Sequence, residues 1–176
     1  MSEKLSFAEM LRDQVRAGLT AAHQYLAAAV YFDAQDLPEL ATQTYARSTA
    51  NHGHAMRMVQ YLLDRDVPIA IGGLDDVRAE FESPRDAIAF LLDRERVTTT
   101  QVSALAAAAR DSNDFLGEQF MQWFLAEQVD DVAKMSTLLT VLDRQDNLFD
   151  VEEFVRRELR GTVRVDTTAP RMAGAS

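Results

Sequence analysis

Apolar side chains recur at three- and four-residue steps through four long stretches of the chain. This period is typical of amphipathic helices that each bury one face. The first three predicted helices span about 5–33, 38–66 and 84–111, and a fourth follows a turn near 111–114 and carries apolar residues from Phe120 to Leu142. On the first helix, the predicted inner stripe consists of Leu11, Val15, Leu19, Ala22, Leu26 and Val30.

The connections between these helices predict how they pack. The segments 35–37 and 112–114 are short turns, whereas 67–82 is long and holds Pro68, Gly72 and Gly73. Short, long and short connections in that order predict an all-α four-helix bundle with one long crossover. Asn147 resembles a helix cap and predicts a short fifth helix that ends near residue 159. We therefore expect one domain over 1–160 and a flexible C-terminal tail over 161–176.

Bulk composition excludes several kinds of protein. The 176 residues carry a net charge of −10, which argues against a nucleic-acid partner. There is no cysteine, so thiolate metal sites and thiol catalysis are excluded. The charged first residues, 1–14, do not resemble a signal peptide, and no stretch approaches the roughly 20 apolar residues of a membrane span. We expect a cytoplasmic protein without a membrane partner.

Several polar side chains fall on the apolar faces of the predicted helices. Glu95 lies on the inner face of the third helix, and Gln128 and Asp131 lie on that of the fourth. The corresponding positions on the other two helices are Asn51 and His54 on the second, and Gly18 and Tyr25 on the first. An ionised carboxylate in a core costs several kcal/mol unless it is compensated. Glu95 and Asp131 therefore need a metal ion, a cationic partner or protons.

The pattern leaves more than one interpretation open. A metal site would draw on acids and a histidine from three helices. A salt-bridge network within the core would satisfy the same acids without metal, and an error in helical phase would place some of them in water. For His54 alone, an ordinary hydrogen-bonded core histidine is the simpler interpretation.

Several segments resemble those of a known family. They are 21–25, 31–33, 36–38, 54–56, 62–66 and, most specifically, 114–125 with 127–128. In these segments the chain resembles the bacterial non-haem ferritins of the actinobacterial type, over about 7–158. The resemblance implies a ferritin-like bundle with a short fifth helix. It also implies a homo-oligomeric cage of 24 subunits that stores iron as a ferric mineral.

The resemblance further implies a ferroxidase centre, in which two ferrous ions are oxidised together. Four of its metal-ligand positions retain a ligand type, and these are His54, Glu95, Gln128 and Asp131, the last one methylene shorter than in the family. Two other ligand positions are lost, because glutamates are replaced by Gly18 and Asn51. A further family acid falls on Ala50, Tyr25 matches the tyrosine beside the centre, and Glu127 and Asp130 retain acids near the inner surface.

The missing ligands predict a degenerate ferroxidase centre. Two ferrous ions bring four positive charges, and iron of this kind prefers charged oxygen ligands. Neither Gly18 nor the neutral amide of Asn51 replaces a carboxylate. His23 is a candidate substitute ligand, but it lies about 140° around the helix from Gly18. We expect slow or absent coupled oxidation.

The leading hypothesis is a cage subunit that contributes to the shell and to mineral nucleation at Glu127 and Asp130. This hypothesis includes assembly together with a ferroxidase-active paralogue. A second hypothesis is haem binding through His52 at a two-fold axis between subunits. A third is an altered oxidase with one metal ion at Glu95, Gln128 and Asp131. In a fourth, metal is lost and His54 pairs with Glu95 or Asp131.

Overall fold

The computed structural model describes residues 5–160 and 166–175. Within them the chain is helical and forms no strand. The four long helices are α1 (Phe7–Ala34), α2 (Pro38–Asp64), α3 (Pro84–Asp111) and α4 (Phe115–Arg144). A short helix, α5 (Leu148–Phe154), continues into a π-helical segment, Val155–Leu159. The predicted four-helix bundle with a short fifth helix is confirmed.

Side-chain caps determine where three of the long helices begin. Ser6 accepts a hydrogen bond from the backbone N–H of Glu9, whose carboxylate accepts from the backbone of Ser6 in return. Ser83 caps α3, with proline as the first helical residue. Asp114 caps α4 by accepting from the backbone N–H of Gly117 at 2.9 Å. These caps satisfy N–H groups that have no partner within the helix.

Two apolar clusters form the core, one toward each end of the bundle. Phe32, Leu40 and Leu91 are fully buried in the cluster that contacts α5. Leu11 and Met121 are fully buried in the cluster at the other end. The buried polar groups Glu95, Gln128 and Asp131 belong to neither cluster. The two apolar layers therefore leave the polar residues in a separate group.

The predicted inner stripe of α1 is wrong in its second half. Leu26 and Val30 are 41% and 53% exposed, whereas Tyr25, Ala28 and Ala29 are buried. The buried face of a helix is a broad band, so a step of three from Ala22 leads to Tyr25 and a step of four leads to Leu26. In the structure the step of three is the buried one. This turn of α1 thus directs a tyrosine, and not a leucine, into the centre.

The long crossover lies against α1. The side-chain amide of Gln24 donates to the carbonyl of Arg78 at 2.7 Å and accepts from the backbone N–H of Arg78 at 2.8 Å. Closer to the start of the crossover, the backbone N–H of Asp75 donates to the hydroxyl of Thr20 at 3.2 Å. A segment without regular structure is thereby attached to the bundle at two points.

The predicted flexible tail, 161–176, falls partly outside the described residues, namely at 161–165 and 176. The described part, 166–175, lies along α2 and α4. The backbone N–H of Ala173 donates to the carbonyl of Met56 at 3.1 Å. The indole N–H of Trp123 donates to Asp166 at 2.8 Å. No helix in the described part of the chain is long and apolar enough to cross a membrane.

Candidate functional site

A polar centre lies inside the bundle, where all four long helices contribute a side chain. Glu95 from α3 and both Gln128 and Asp131 from α4 are only 3–4% exposed. Tyr25 from α1 is equally buried, and Arg47 reaches in from α2. The inward orientation predicted for Glu95, Gln128 and Asp131 agrees with this burial. The guanidinium of Arg47 was not predicted.

Arg47 is the partner of both buried carboxylates. Its Nη1 lies 2.6 Å from Oδ1 of Asp131, and its Nη2 lies 3.1 Å from Oε1 of Glu95. The Arg47 side chain remains 22% exposed, so its stem runs from the surface into the centre. Its guanidinium also lies 5.6 Å from the centre of the Tyr25 ring. One cation therefore joins acids from two different helices and sits against an aromatic ring of a third.

Other hydrogen bonds complete the centre, with one exception. The Tyr25 hydroxyl donates to Oε1 of Glu95 at 2.5 Å. The Thr99 hydroxyl donates to Oε1 of Gln128 at 2.9 Å. Oδ2 of Asp131 is buried and has no partner among the described residues. Because a buried acceptor without a donor is costly, this oxygen is the least satisfied atom of the centre.

Burial and neighbouring charges shift the pKa values in this centre. Burial, followed by the Glu95 charge, raises the pKa of Tyr25 well above its usual value, so the phenol stays protonated. Burial opposes the charge of Arg47, but Tyr25, Asp131 and Glu95 outweigh it and raise the pKa of Arg47. Burial is also the largest influence on Asp131, and it raises the pKa of that carboxyl despite the opposing effect of Arg47.

Gly18 and Asn51, the two positions where the resemblance implies lost ligands, lie close together on facing helices. A Cβ atom added to Gly18 would lie 3.2 Å from Cβ of Ala55, which is closer than ordinary contact. Asn51 is buried, and its amide donates to the carbonyl of Arg47 in its own helix at 3.0 Å. A cavity of about 20 Å³ lies beside both residues, which is room for about one water molecule. This part of the centre is filled by helix packing.

His54 lies at the edge of the centre, half-buried. Its Nε2 is 3.8 Å from Oε2 of Glu127, and its ring makes edge contacts with Trp123 and Phe124. The fourth hypothesis paired His54 with Glu95 or Asp131, and that pairing is wrong. The long side chain of Arg47 reaches both acids, whereas His54 is positioned by aromatic rings and faces Glu127 instead.

The other predicted residues lie outside the centre. His23 and His52 are exposed, on α1 and α2 respectively, and Asp130 is exposed on α4. Glu127 is partly exposed, and the neighbouring His54 side chain lowers the pKa of its carboxyl. Ala50 brings no ligand atom. Haem binding at His52 would need a second chain and stays a prediction, as does a single metal ion at Glu95, Gln128 and Asp131.

The two carboxylates of the centre are engaged by a cation of the protein itself. Among the described residues, no group of three or more histidine, aspartate or glutamate side chains is arranged to hold a metal ion. Glu95 and Asp131 are close enough to share Arg47, but each uses an oxygen to accept its hydrogen bond. The partnerless Oδ2 of Asp131 is a single atom. The chemistry that this centre supports directly is charge pairing.

Sequence patterns did contain a signal for Arg47. It lies four residues before Asn51 and three after Thr44, and both of these residues are buried. Position 47 therefore belongs to the inner stripe of α2. A long charged side chain on a helix usually reaches water, so its position on the stripe was easily overlooked. The unpaired acids predicted on the facing helices were the second signal.

A four-helix bundle with one long crossover and inward acids at mid-helix defines a ferritin-like protein. The family model described as "Ferritin-like domain" matches residues 8–145, and the chain belongs to this family. Iron storage is the function class that this membership supports. The chain is 53% identical to Ferritin BfrB of Mycolicibacterium smegmatis over 171 residues, which cover 97% of this chain and 94% of that protein. It is 52% identical to Ferritin BfrB of Mycobacterium tuberculosis, with 89% and 87% covered.

Solved structures show the same architecture. The open-pore ferritin from Archaeoglobus fulgidus superimposes with a TM-score of 0.81 at 25% identity, covering 85% of this chain and 93% of that one. A humanized archaeal ferritin superimposes with a TM-score of 0.80 at 27% identity, covering 88% and 99%. The predicted resemblance to actinobacterial ferritins is thereby confirmed at the level of family and fold.

Proposed function

We propose that the chain is a subunit of an iron-storage cage and that its ferroxidase site is incomplete. The observation that carries this proposal is the packing of Gly18 against Ala55, where an added Cβ would lie at 3.2 Å. A glutamate at position 18 would require α1 and α2 to shift apart by a few tenths of an ångström at Ala55. Together with the neutral amide of Asn51, this contact leaves one half of the implied two-iron site without an anionic ligand.

Charge supports the same conclusion. Two ferrous ions carry four positive charges, and the remaining carboxylates of the centre, Glu95 and Asp131, offset two of them. Arg47 adds a positive charge between these two acids, at 3.1 and 2.6 Å. Bringing a dication next to a buried guanidinium is unfavourable because like charges repel strongly away from water. Coupled oxidation of two ferrous ions is therefore slow in this subunit.

The subunit contributes to storage through the shell and through mineral nucleation. Glu127 and Asp130 offer carboxylates that reach the surface of α4, and each directly precedes a buried residue of the centre, Gln128 and Asp131 respectively. Carboxylate oxygens are suitable ligands for hard cations and so for the first ions of a mineral. In a homo-oligomeric cage of 24 cytoplasmic subunits, these acids would face the stored iron. Co-assembly with a ferroxidase-active paralogue would supply the ferric ions.

Rapid mixing of the assembled protein with two ferrous ions per chain tests the missing oxidation. We expect slow absorbance changes, without a fast phase that consumes two ions per chain. A competent ferritin measured under the same conditions provides the reference rate. A fast phase that disappears in Glu95→Ala would refute the incomplete site.

Iron loading tests the storage role separately. Mixed cages of this subunit and a competent ferritin should accumulate more iron per competent subunit than cages made of the competent ferritin alone. Removing both surface acids in Glu127→Gln/Asp130→Asn should slow mineral growth several-fold without changing assembly. Glu153→Gln/Asp93→Asn, which removes two exposed acids elsewhere, is the matched control. Equal mineral growth in the two double variants would exclude nucleation at Glu127 and Asp130.

A further inference from the structure

We propose that Arg47 is the resident cation of the polar centre and that it excludes metal ions from Glu95 and Asp131. The inference concerns the half of the centre that still has carboxylates. It rests on the proposed function, since it explains why the remaining half of an incomplete site also stays free of iron. In this view the centre has exchanged a metal ion for a guanidinium.

The contacts of Arg47 carry the proposal. A metal ion held between α3 and α4 needs carboxylate oxygens from both Glu95 and Asp131. The guanidinium already takes one oxygen from each, at 3.1 and 2.6 Å. It is a planar group that stays charged at every physiological pH, and its fork of donors suits two carboxylates at once. Metal and guanidinium therefore compete for the same oxygens.

Neighbouring groups hold Arg47 in this position. The Tyr25 ring lies 5.6 Å from the guanidinium, and the Tyr25 hydroxyl donates to the same Glu95 oxygen that Arg47 contacts. The carbonyl of Arg47 accepts a hydrogen bond from the Asn51 amide one turn along α2. Asn51, which stands where the resemblance implies a lost ligand, thus contacts Arg47, which supplies the new cation. Both changes lie on the same face of α2.

A cavity beside the guanidinium gives a metal ion room to replace it when Arg47 is truncated by mutation. A cavity of about 110 Å³ borders Arg47 and Asp131, with Thr44, Met135 and Lys134 among its other lining residues. Asp131 already borders this cavity, and truncating Arg47 would extend it toward Glu95, whose carboxylate the guanidinium now contacts. A small cation from solution would then have both a route and a site. The unpartnered Oδ2 of Asp131 would be available to it as a further oxygen.

Cobalt(II) is a suitable probe because its absorption spectrum reports ligand binding and because it is not oxidised by air as ferrous iron is. We compare assembled wild type, Arg47→Met and Arg65→Met, each with and without Glu95→Gln. Arg65 pairs with Asp114 at 3.2 Å away from the centre and provides the matched loss of an arginine. The Glu95→Gln background separates cobalt at the centre from cobalt elsewhere on the cage.

Arg47→Met is expected to gain one cobalt ion per chain that is lost again in Arg47→Met/Glu95→Gln. Wild type and Arg65→Met are expected to show no cobalt binding that depends on Glu95. Guanidinium chloride at concentrations below unfolding should displace the bound cobalt from Arg47→Met. Glu95-dependent cobalt binding in wild type would overturn the proposal. So would an Arg47→Met protein that assembles correctly and gains no cobalt.

Two further measurements keep the proposal testable if Arg47→Met does not assemble. Arg47→Lys keeps the charge and is expected to assemble and to bind no cobalt at Glu95. Wild-type crystals soaked in ferrous or cobalt salt should show anomalous scattering elsewhere on the cage and none within about 2.6 Å of the Glu95 carboxylate. A peak there would refute the inference. Slow wild-type oxidation with no gain of cobalt in Arg47→Met refutes this inference alone, whereas fast wild-type oxidation refutes the proposed function.

Discussion

The hydroxyl of Tyr25 and the carboxylate of Glu95 form a 2.5 Å hydrogen bond between α1 and α3 inside the bundle. The same carboxylate oxygen accepts from Arg47, so a neutral donor and a cationic donor converge on one atom. Hydrogen bonds to a charged acceptor away from water are stronger than those between neutral groups. Tyr25 and Arg47 therefore share the task of stabilising a buried negative charge.

Removing the Tyr25 hydroxyl tests how much this hydrogen bond contributes to stabilising the buried carboxylate of Glu95. Tyr25→Phe keeps the buried ring and deletes one donor to Glu95, so we expect the free energy of unfolding to fall by about 1.5–3 kcal/mol. Tyr45→Phe makes the same change where the hydroxyl bonds Asp33 at 3.1 Å near the surface, and it should cost less than about 0.5 kcal/mol. Urea denaturation followed by the fluorescence of the single tryptophan measures both. Equal losses of unfolding free energy in the two variants would show that the buried hydrogen bond to Glu95 contributes no more stability than the exposed one to Asp33.

Removing the cation has a larger expected effect. Arg47→Met leaves Glu95 and Asp131 buried without their shared partner, and breaking a buried pair costs about 3–5 kcal/mol. Arg85→Met breaks an ion pair with Asp143 in which both side chains are about half-exposed, and it should cost at most about 1 kcal/mol. Differential scanning calorimetry of the two assembled variants gives the comparison. An Arg47→Met protein as stable as Arg85→Met would show that the two acids are protonated or solvated instead.

The contact between Gly18 and Ala55 makes a prediction about packing. Alanine ordinarily stabilises a helix relative to glycine by about 1 kcal/mol. At position 18, however, the new methyl would lie 3.2 Å from Cβ of Ala55, whose own backbone follows at 3.6 Å and is not free to move. We expect Gly18→Ala to destabilise the protein and Gly18→Ala/Ala55→Gly to be more stable than the sum of the single changes. Additive effects in this double-mutant cycle would contradict a direct contact.

The sequence predicted the bundle well because its signals are local and repeated. Apolar periodicity placed the first three long helices within about two residues of their observed ends. The inner stripe of α1 was misjudged at Leu26 and Val30 because Ala28 and Ala29 carry little hydrophobic signal of their own. Helix ends depend on nearby residues, whereas the choice between neighbouring faces depends on what packs against them.

The polar centre was predicted in part, for a related reason. Glu95, Gln128 and Asp131 lie at stripe positions between large apolar residues, and periodicity alone directs them inward. Their partner could not be identified in the same way, because the sequence does not show which of several long cations on the other helices reaches them. Arg47 is selected by the distance between α2 and the facing helices, and this distance is a property of the assembled bundle.

The start of α3 should respond to acid in a defined direction. The backbone N–H of Glu82 donates to the carboxylate of Asp86, and Arg78 pairs with the same carboxylate. These two contacts hold the pKa of Asp86 below its ordinary value. A group whose pKa is lower in the folded than in the unfolded protein contributes stability above the unfolded value and loses it as pH falls through the folded value. Wild type should therefore lose stability on acidification below about pH 4. Asp86→Asn should be less stable at neutral pH and show a smaller loss over that range, and Asp93→Asn at an exposed site should keep the wild-type slope. Melting temperatures recorded from pH 7 to pH 3 test this, and parallel curves for wild type and Asp86→Asn would contradict it.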